Sequence, residues 1–466
     1  MATSVTRHAI TWTFDTDYTT GTFVNGDPWV VENTPGGGVR VNSISPTSTI
    51  SGDWTTNGSM VNPSSGSVQG FDSQMNFISY DPSLNVGRPG GNALSTSNPL
   101  LLSAGSSLIS TKSAGAPGAL PQLTDASVLT VLASAPASGA FRPPYCGGKV
   151  MYNTSQVDLS FLLALPTVGS MPSEATALTY IERPWIDFIN YWMARYIHPA
   201  NNMPNYGREM VSRVGVVAAM MHLNISAGTK QTLAYQMIQL GIDLYGVTQI
   251  GVGWTADGGH SSGRKYPIVF AGVALGIPSM QNIGSSVPFG EDEQTFYVTQ
   301  TEVDFCATGA WAPDTRNGPA SPYTTAMIDM PEWGIRHGNT PSFDNANWTA
   351  NYRQCCTATA WGAMTTALIL GEMQDAWNHP AFFDYVERFM AITDGNSDPF
   401  GYVVPDEESG WRSIVTQFDA DMYDTYSNYL SGDTLRKAMS GGLSLSGAAE
   451  LSRIGKWRRP RYLYRS

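Results

Sequence analysis

Long apolar runs are missing from this chain of 466 residues. None approaches the roughly 18 residues of a membrane span, so no membrane partner is expected. Charge is scarce, at 14% of residues, and its balance is acidic, with a net charge of −12. That balance excludes nonspecific nucleic-acid binding by the whole surface. Cysteine is limited to Cys146, Cys306, Cys355 and Cys356, none in zinc-type CxxC spacing, and HExxH is absent. No metal or cofactor is therefore expected, although a structural or charge-neutralising divalent cation stays open. The opening MATSVTRHAITW has no apolar centre of a secretory signal. Either the chain is not exported by that route or its leader has been removed, and residence outside the cell or in the periplasm is the expectation.

Aromatics, by contrast, reach 11%, a level that belongs to a packed globular chain rather than a disordered one. Residues 1–145 carry short β-branched and aromatic runs, such as Ile10 to Phe14 and Trp29 to Val31. Turn clusters at Asn25-Gly26-Asp27-Pro28 and Pro35 to Gly38 separate them. This pattern predicts a β-sandwich-like domain with long loops, closed by Pro143-Pro144. From about 155 to 430 the texture turns helical. Helices are predicted over Glu174 to Ile197 (kinked or split at Pro184), Tyr206 to Leu223, Thr229 to Tyr245, Tyr266 to Leu275, Trp348 to Met373 and Ala381 to Ile392. Serial helices without intervening strands favour an α/α toroid over a βαβ sheet. Residues 431–466 form a basic tail, with Arg453, Lys456, Arg458, Arg459, Arg461 and Arg465. A solvated terminus is the plain reading of it.

Chemistry concentrates at three places. Asp257 to Gly263 is a small, polar loop with His260 at its centre, followed by Arg264 and Lys265 and then an apolar helix. An imidazole and two cations at the mouth of a buried helix suit an anionic ligand or a reacting carbonyl; a helix start capped by Ser262 is the plainer alternative. Asn205-Tyr206-Gly207-Arg208-Glu209 opens another helix, where an Asn cap with a first-turn acid would explain it equally. The third place spans Arg316 to Arg353, with Tyr323, Glu332, Arg336, His337, Tyr352 and Arg353. A structural Glu332–Arg336 ion pair is the competing explanation there. The acids Glu291-Asp292-Glu293 read simply as a helix start.

Gly259-His260-Ser261-Ser262-Gly263 also satisfies GxSxG. A nucleophile elbow needs a strand before Ser261, a helix after it and alternating strands around both. Only Ile250 to Trp254 offers a strand, so the elbow is the lesser reading. As a phosphate loop the segment fails, because Arg264 stands where Lys is required.

A helical region whose clefts offer Asn, His, Arg and Tyr resembles the polysaccharide lyases of the alginate, glucuronan and heparinase-like group. The resemblance covers mainly residues 155 to 430 and rests on residue types. Many of those lyases carry their β-sandwich after the toroid, whereas here the β-rich part comes first. It implies β-elimination on a uronic-acid polymer: donors neutralise the carboxylate, a base takes the C5 proton and an acid protonates O4. By type, Asn205 would neutralise, and His260 would be the base or share the neutralising. Tyr323 would be acid or base, with Tyr206 and Tyr352 as alternatives. Arg316 or Arg336 would grip carboxylates, with Arg208, Arg264, Lys265, Glu332, His337 and Arg353 lining the substrate path. An acidic polysaccharide is then the expected partner, with oligomeric state open. Two other readings stand beside it. A glycoside hydrolase would pair carboxyls about 5 to 9.5 Å apart, from Asp257, Glu293 and Glu332. A non-catalytic carbohydrate-binding or virion-surface protein would account for the aromatics and the Ser/Thr/Gly-rich first half.

Overall fold

The computed structural model describes residues 1–75, 78–90, 93–119, 121–189, 198–199, 208–307, 323–334, 358–393 and 416–427. An N-terminal β-rich region with a curled sheet precedes a helical region. The strands are β1 (Ala2–Arg7), β2 (Ile10–Thr22), β3 (Pro28–Val31), β4 (Val39–Ser45), β5 (Thr49–Ser51), β6 (Trp54–Thr56), β7 (Ser59–Val61), β8 (Val68–Gln69), β9 (Ser79–Tyr80), β10 (Leu100–Leu102), β11 (Ser107–Ser113) and β12 (Leu123–Leu132). Eight of them form one sheet in the order β10-β4-β2-β3-β12-β11-β7, with β1 also on β2. All its pairings are antiparallel except β3 with β12.

Strand β2 lets the sheet curl. Its first half pairs with β4 through Thr11 to Phe14, and its second half pairs with β3 through Thr19 to Thr22. The halves of the sheet then face one another, and the Trp12 indole N–H donates to Ser110 Oγ on β11 at 2.9 Å. Period-two alternation sorts the side chains of the central strands. Leu108, Leu129 and Val131 join Trp12, Phe14 and Val41 inside the curl, while Ile109, Ala126 and Val128 point the other way. Those outward residues enter the same core as the helices. The Pro143-Pro144 boundary thus marks a change of secondary structure within a continuous core.

The helices are α1 (Glu174–Tyr180), α2 (Arg208–Met220), α3 (Ala227–Thr248), α4 (Lys265–Leu275), α5 (Pro278–Gln281), α6 (Gly290–Gln294), α7 (Gln300–Ala307), α8 (Gly362–Leu370), α9 (Gln374–Trp377), α10 (Pro380–Thr393) and α11 (Gln417–Tyr426). A short antiparallel ribbon, β13 (Thr295–Tyr297) with β14 (Pro331–Trp333), lies among them. Helices α4 and α8 are apolar on all sides and accordingly almost wholly buried. Each fully buried Ile, Leu, Phe or Val contributes about 1.5–3 kcal/mol. Helix α3 lies against α4 so closely that a Cβ on Gly241 would sit 2.1 Å from the Pro267 carbonyl oxygen. The first turn of α8 has no local side-chain cap, and Asp419 of α11 takes the Ala363 N–H instead.

The expected long helix from Glu174 stops at Tyr180. Pro184 disfavours helical backbone at Arg183, and Trp185, Ile186, Phe188 and Ile189 are buried as irregular chain. The Tyr145 hydroxyl donates to the Trp185 carbonyl at 2.7 Å and accepts the Asp187 N–H at 3.2 Å. One phenol thereby satisfies two backbone groups that a helix would have satisfied itself.

Sheet and helices are joined by a buried cation. Arg142 donates through Nε to Asp27 at 2.7 Å and through Nη1 to Asp243 of α3 at 2.9 Å, with Nη2 also on Asp243. Its backbone N–H and C=O are both taken by the Gln239 amide.

Candidate functional site

The loop ahead of α4 has too few apolar side chains to hold itself, and α6 with its flanks clasps it from one side. Trp254 stacks on Phe289 at 5.8 Å, and its N–H donates to the Pro288 carbonyl. The Ala256 N–H donates to Glu293 at 2.6 Å, the Gln294 amide to the Gly258 carbonyl at 2.5 Å, and the Gly263 N–H to Glu291 at 3.1 Å. Lys265 gives its ammonium to Asp292 at 2.5 Å and to the Trp377 carbonyl at 2.6 Å, lying 4.3 Å over the Trp377 ring. Glu291-Asp292-Glu293 do start a short helix, as expected. Each acid also holds a different residue of the loop or of the helix that follows it.

Arg264 holds the loop from the other side. Its Nε and Nη2 donate to the two oxygens of Asp187 at 2.7 and 3.3 Å. Nη1 donates to the carbonyls of His260 and Ser262 at 2.8 and 3.0 Å, and Nη2 also reaches Met210 Sδ in α2 at 2.9 Å. His198 Nε2 is 3.1 Å from Asp187 Oδ1. Burial works against the Asp187 charge, yet Arg264 and His198 hold its carboxyl well below the ordinary range. Gly263 has φ +98°, and a Cβ there would meet Val211 Cα at 2.9 Å, so this position requires glycine on two counts.

Among these groups His260 is half-buried, with its ring Nδ1 inside, on a turn closed by its own N–H to the Asp257 carbonyl at 3.2 Å. Arg208 is also partly exposed at the start of α2 and pairs with Glu209 at 2.8 Å. Of the other residues assigned to a lyase site, Arg264, Lys265, Tyr323 and Glu332 are described and lie inside. Arg264 and Lys265, expected to grip substrate, are both buried and paired with Asp187 and Asp292. Glu332 is likewise buried on β14, where it takes the Trp333 N–H at 2.7 Å and lies 3.9 Å from Arg388. Tyr323, 3% exposed, packs with Val298, Val303 and Met330 and edge-on to Phe296, a setting poorly suited to proton transfer with an external polymer. Asn205, Tyr206, Arg316, Arg336, His337, Tyr352 and Arg353 lie outside the described residues.

The GxSxG segment lacks the setting of an elbow. Ile250 to Trp254 forms no strand, and the strands described after residue 240 are the antiparallel pair β13 and β14.

The segments bearing the three constellations nevertheless adjoin. Gly263 touches Val211 of α2, and Ser261 lies against Gly290 of α6. The Gly334 N–H, at the end of β14, donates to the carbonyl of Gln294 at 2.8 Å, and the Gln294 side chain holds Gly258. The start of α2, the His260 loop and the end of β14 thus share one locality. Asp187 and Glu291, which the sequence reading left unassigned, sit at its base. An acid inside the apolar run Trp185-Ile186-Asp187-Phe188-Ile189 was the available signal, because buried acids are paired.

No family model, curated protein or solved structure matches the chain.

Proposed function

We propose that the chain is a polysaccharide lyase that cleaves a uronic-acid polymer by β-elimination at the His260 loop, and that its helices complete an α/α toroid around that cleft. The observation carrying this reading is the adjacency of the α2 start, the His260 loop and the β14 end. In sequence, Asn205 stands just before the first of these segments, and Arg336 and His337 stand just after the third. Elimination needs a base at C5 and donors for the enolate-like state. His260, partly exposed while its backbone is fixed by Arg264, supplies the base. Asn205 and Arg336 are the donors by residue type. The acid for O4 is a tyrosine, with Tyr206 or Tyr352 favoured over the buried Tyr323. The polymer is an extracellular or periplasmic substrate, and no cofactor enters the scheme.

Two of the three acids that a hydrolase would use are committed to the fold, Glu332 near Arg388 and Glu293 on the Ala256 N–H. The test is incubation with a panel of polyuronates, followed by absorbance in the unsaturated-uronide band and product mass. Eliminated ends are one water lighter than hydrolysed ones. His260→Ala should lower turnover by about two to four orders of magnitude, the range for a lost proton-transfer group. Saturated products would replace the lyase reading with the hydrolase.

A further inference from the structure

The three acids of α6 differ in their surroundings. Asp292 has Lys265 on one oxygen, and Glu293 takes the Ala256 N–H. Glu291 is fully buried. Its Oε1 accepts the Gly263 N–H, and its Oε2 has no hydrogen-bond partner among the described residues. The charged and titratable groups packed around it offer no dedicated counter-charge. Arg264 is committed to Asp187. His379 has its Nε2 2.9 Å from Thr295 Oγ1, whose hydroxyl in turn donates to the Glu291 backbone carbonyl at 2.6 Å. Lys265 is held by Asp292 and by the Trp377 carbonyl. Next to Glu291, therefore, stands the negative charge of Asp292.

We infer that Glu291 is a proton-operated latch on the His260 loop. In its neutral form the carboxyl accepts the Gly263 N–H through its carbonyl oxygen and suits its dry site. Ionised, it sets a second negative charge beside Asp292 away from water, and the loop relaxes to admit solvent. Burial and then Asp292 push the Glu291 carboxyl up to about 7, against smaller pulls from the Gly263 N–H and Lys265. The sign follows from linkage. A carboxyl that binds its proton more tightly when the loop is closed favours closure fully below the ordinary glutamate range. That preference is lost as pH rises through about 7. The latch concerns loop order and holds whatever polymer the loop meets.

The experiment is amide hydrogen exchange on the full chain, read on peptides covering residues 255 to 264 between pH 6 and 8 and corrected for the intrinsic rate. Protection of the wild-type loop should fall about tenfold across that range, the equivalent of one pKa unit. In Glu291→Gln, which keeps an acceptor for the Gly263 N–H, protection should stay level. Equal pH dependence in both proteins, or none in the wild type, would overturn the latch. If Glu291→Gln does not fold, titration of wild-type protein labelled with carboxyl-13C glutamate decides. A glutamate midpoint near 7 upholds the inference, and midpoints all below about 5.5 reject it. Neither measurement uses a substrate, so failure of the lyase reading would leave both interpretable.

Discussion

Two buried guanidinium groups hold this molecule together, and they do different work. Arg142 joins Asp27, just before β3, to Asp243 of α3, and Arg7 stands 3.5 Å from the other Asp27 oxygen. Arg264 serves one carboxylate, Asp187, which also has His198, and spends its remaining donors on the His260 and Ser262 carbonyls. The first cluster connects the edge of β3 to α3. The second orders a loop that has almost no apolar side chains of its own. Buried ion pairs seldom add net stability over an apolar core, but breaking one strands the partner charge. At the joint that penalty ties sheet to helices. At the loop it fixes the backbone carrying His260.

The largest expected effect lies at the joint. Arg142→Leu strands Asp243 wholly and leaves Asp27 with Arg7 alone, and should cost about 3–5 kcal/mol of global stability, measured by denaturant unfolding. Arg264→Leu strands Asp187 with His198 still beside it, so its cost should be smaller. It should also raise amide exchange selectively over residues 257 to 263. A larger global loss for Arg264→Leu than for Arg142→Leu would reverse the assignment of the two clusters.

A second prediction uses the opposite proton linkages of the two acids. Burial pushes Asp243 up to about 6 against the pull of Arg142, with Asp27 adding to the rise. Its contribution is full below the ordinary aspartate range and is lost as pH rises through about 6. Asp187 is depressed, so its contribution is present above that range and is lost as pH falls below it. Asp243→Asn should therefore remove about 2–3 kcal/mol of pH dependence between pH 4 and 7. Asp187→Asn should flatten the curve only on the acid side of pH 4. Melting temperatures across pH 2 to 8 check both, and identical profiles for the two variants would erase the distinction.

How far the sequence reveals these two clusters depends on where their partners lie. Helices α3, α4 and α10 are legible because runs such as Leu233, Met237, Leu240 and Leu244 repeat at helical spacing. The turn clusters flanking β2 and β3 are legible in the same way. The chain from Ile181 to Ile189 is not, because dense aromatics look alike in a buried helix and in buried irregular backbone. Only the remote Tyr145 hydroxyl makes the irregular form tenable. Arg264 and Lys265 read as ligand-facing cations because their partners Asp187 and Asp292 are distant in sequence, and local pattern does not say which way a cation points. The loop itself is legible through its composition, since small polar residues ahead of an apolar helix have no packing purpose. What holds it, Glu291 to Gln294 from a later helix, is tertiary information.

The smallest expected change in stability falls on His260, and it separates the loop's scaffold from its chemistry. Arg264 contacts the His260 backbone carbonyl, which any residue provides, and His260 as a whole is half-buried. His260→Ala should accordingly keep the Arg264 contact and change unfolding free energy by no more than about 0.5 kcal/mol, the usual span for a substitution away from the core. On the proposed lyase reading, its turnover on a polyuronate should nonetheless collapse. Arg264→Lys should behave differently. A lysine cannot bridge Asp187 and two carbonyls with one planar fork, so it should lose stability and turnover together, with loop exchange rising in proportion. If His260→Ala instead melted as low as Arg264→Lys while keeping its activity, the imidazole would belong to the scaffold. The proton-transfer role proposed for it would then fall, or pass to another residue of the same locality.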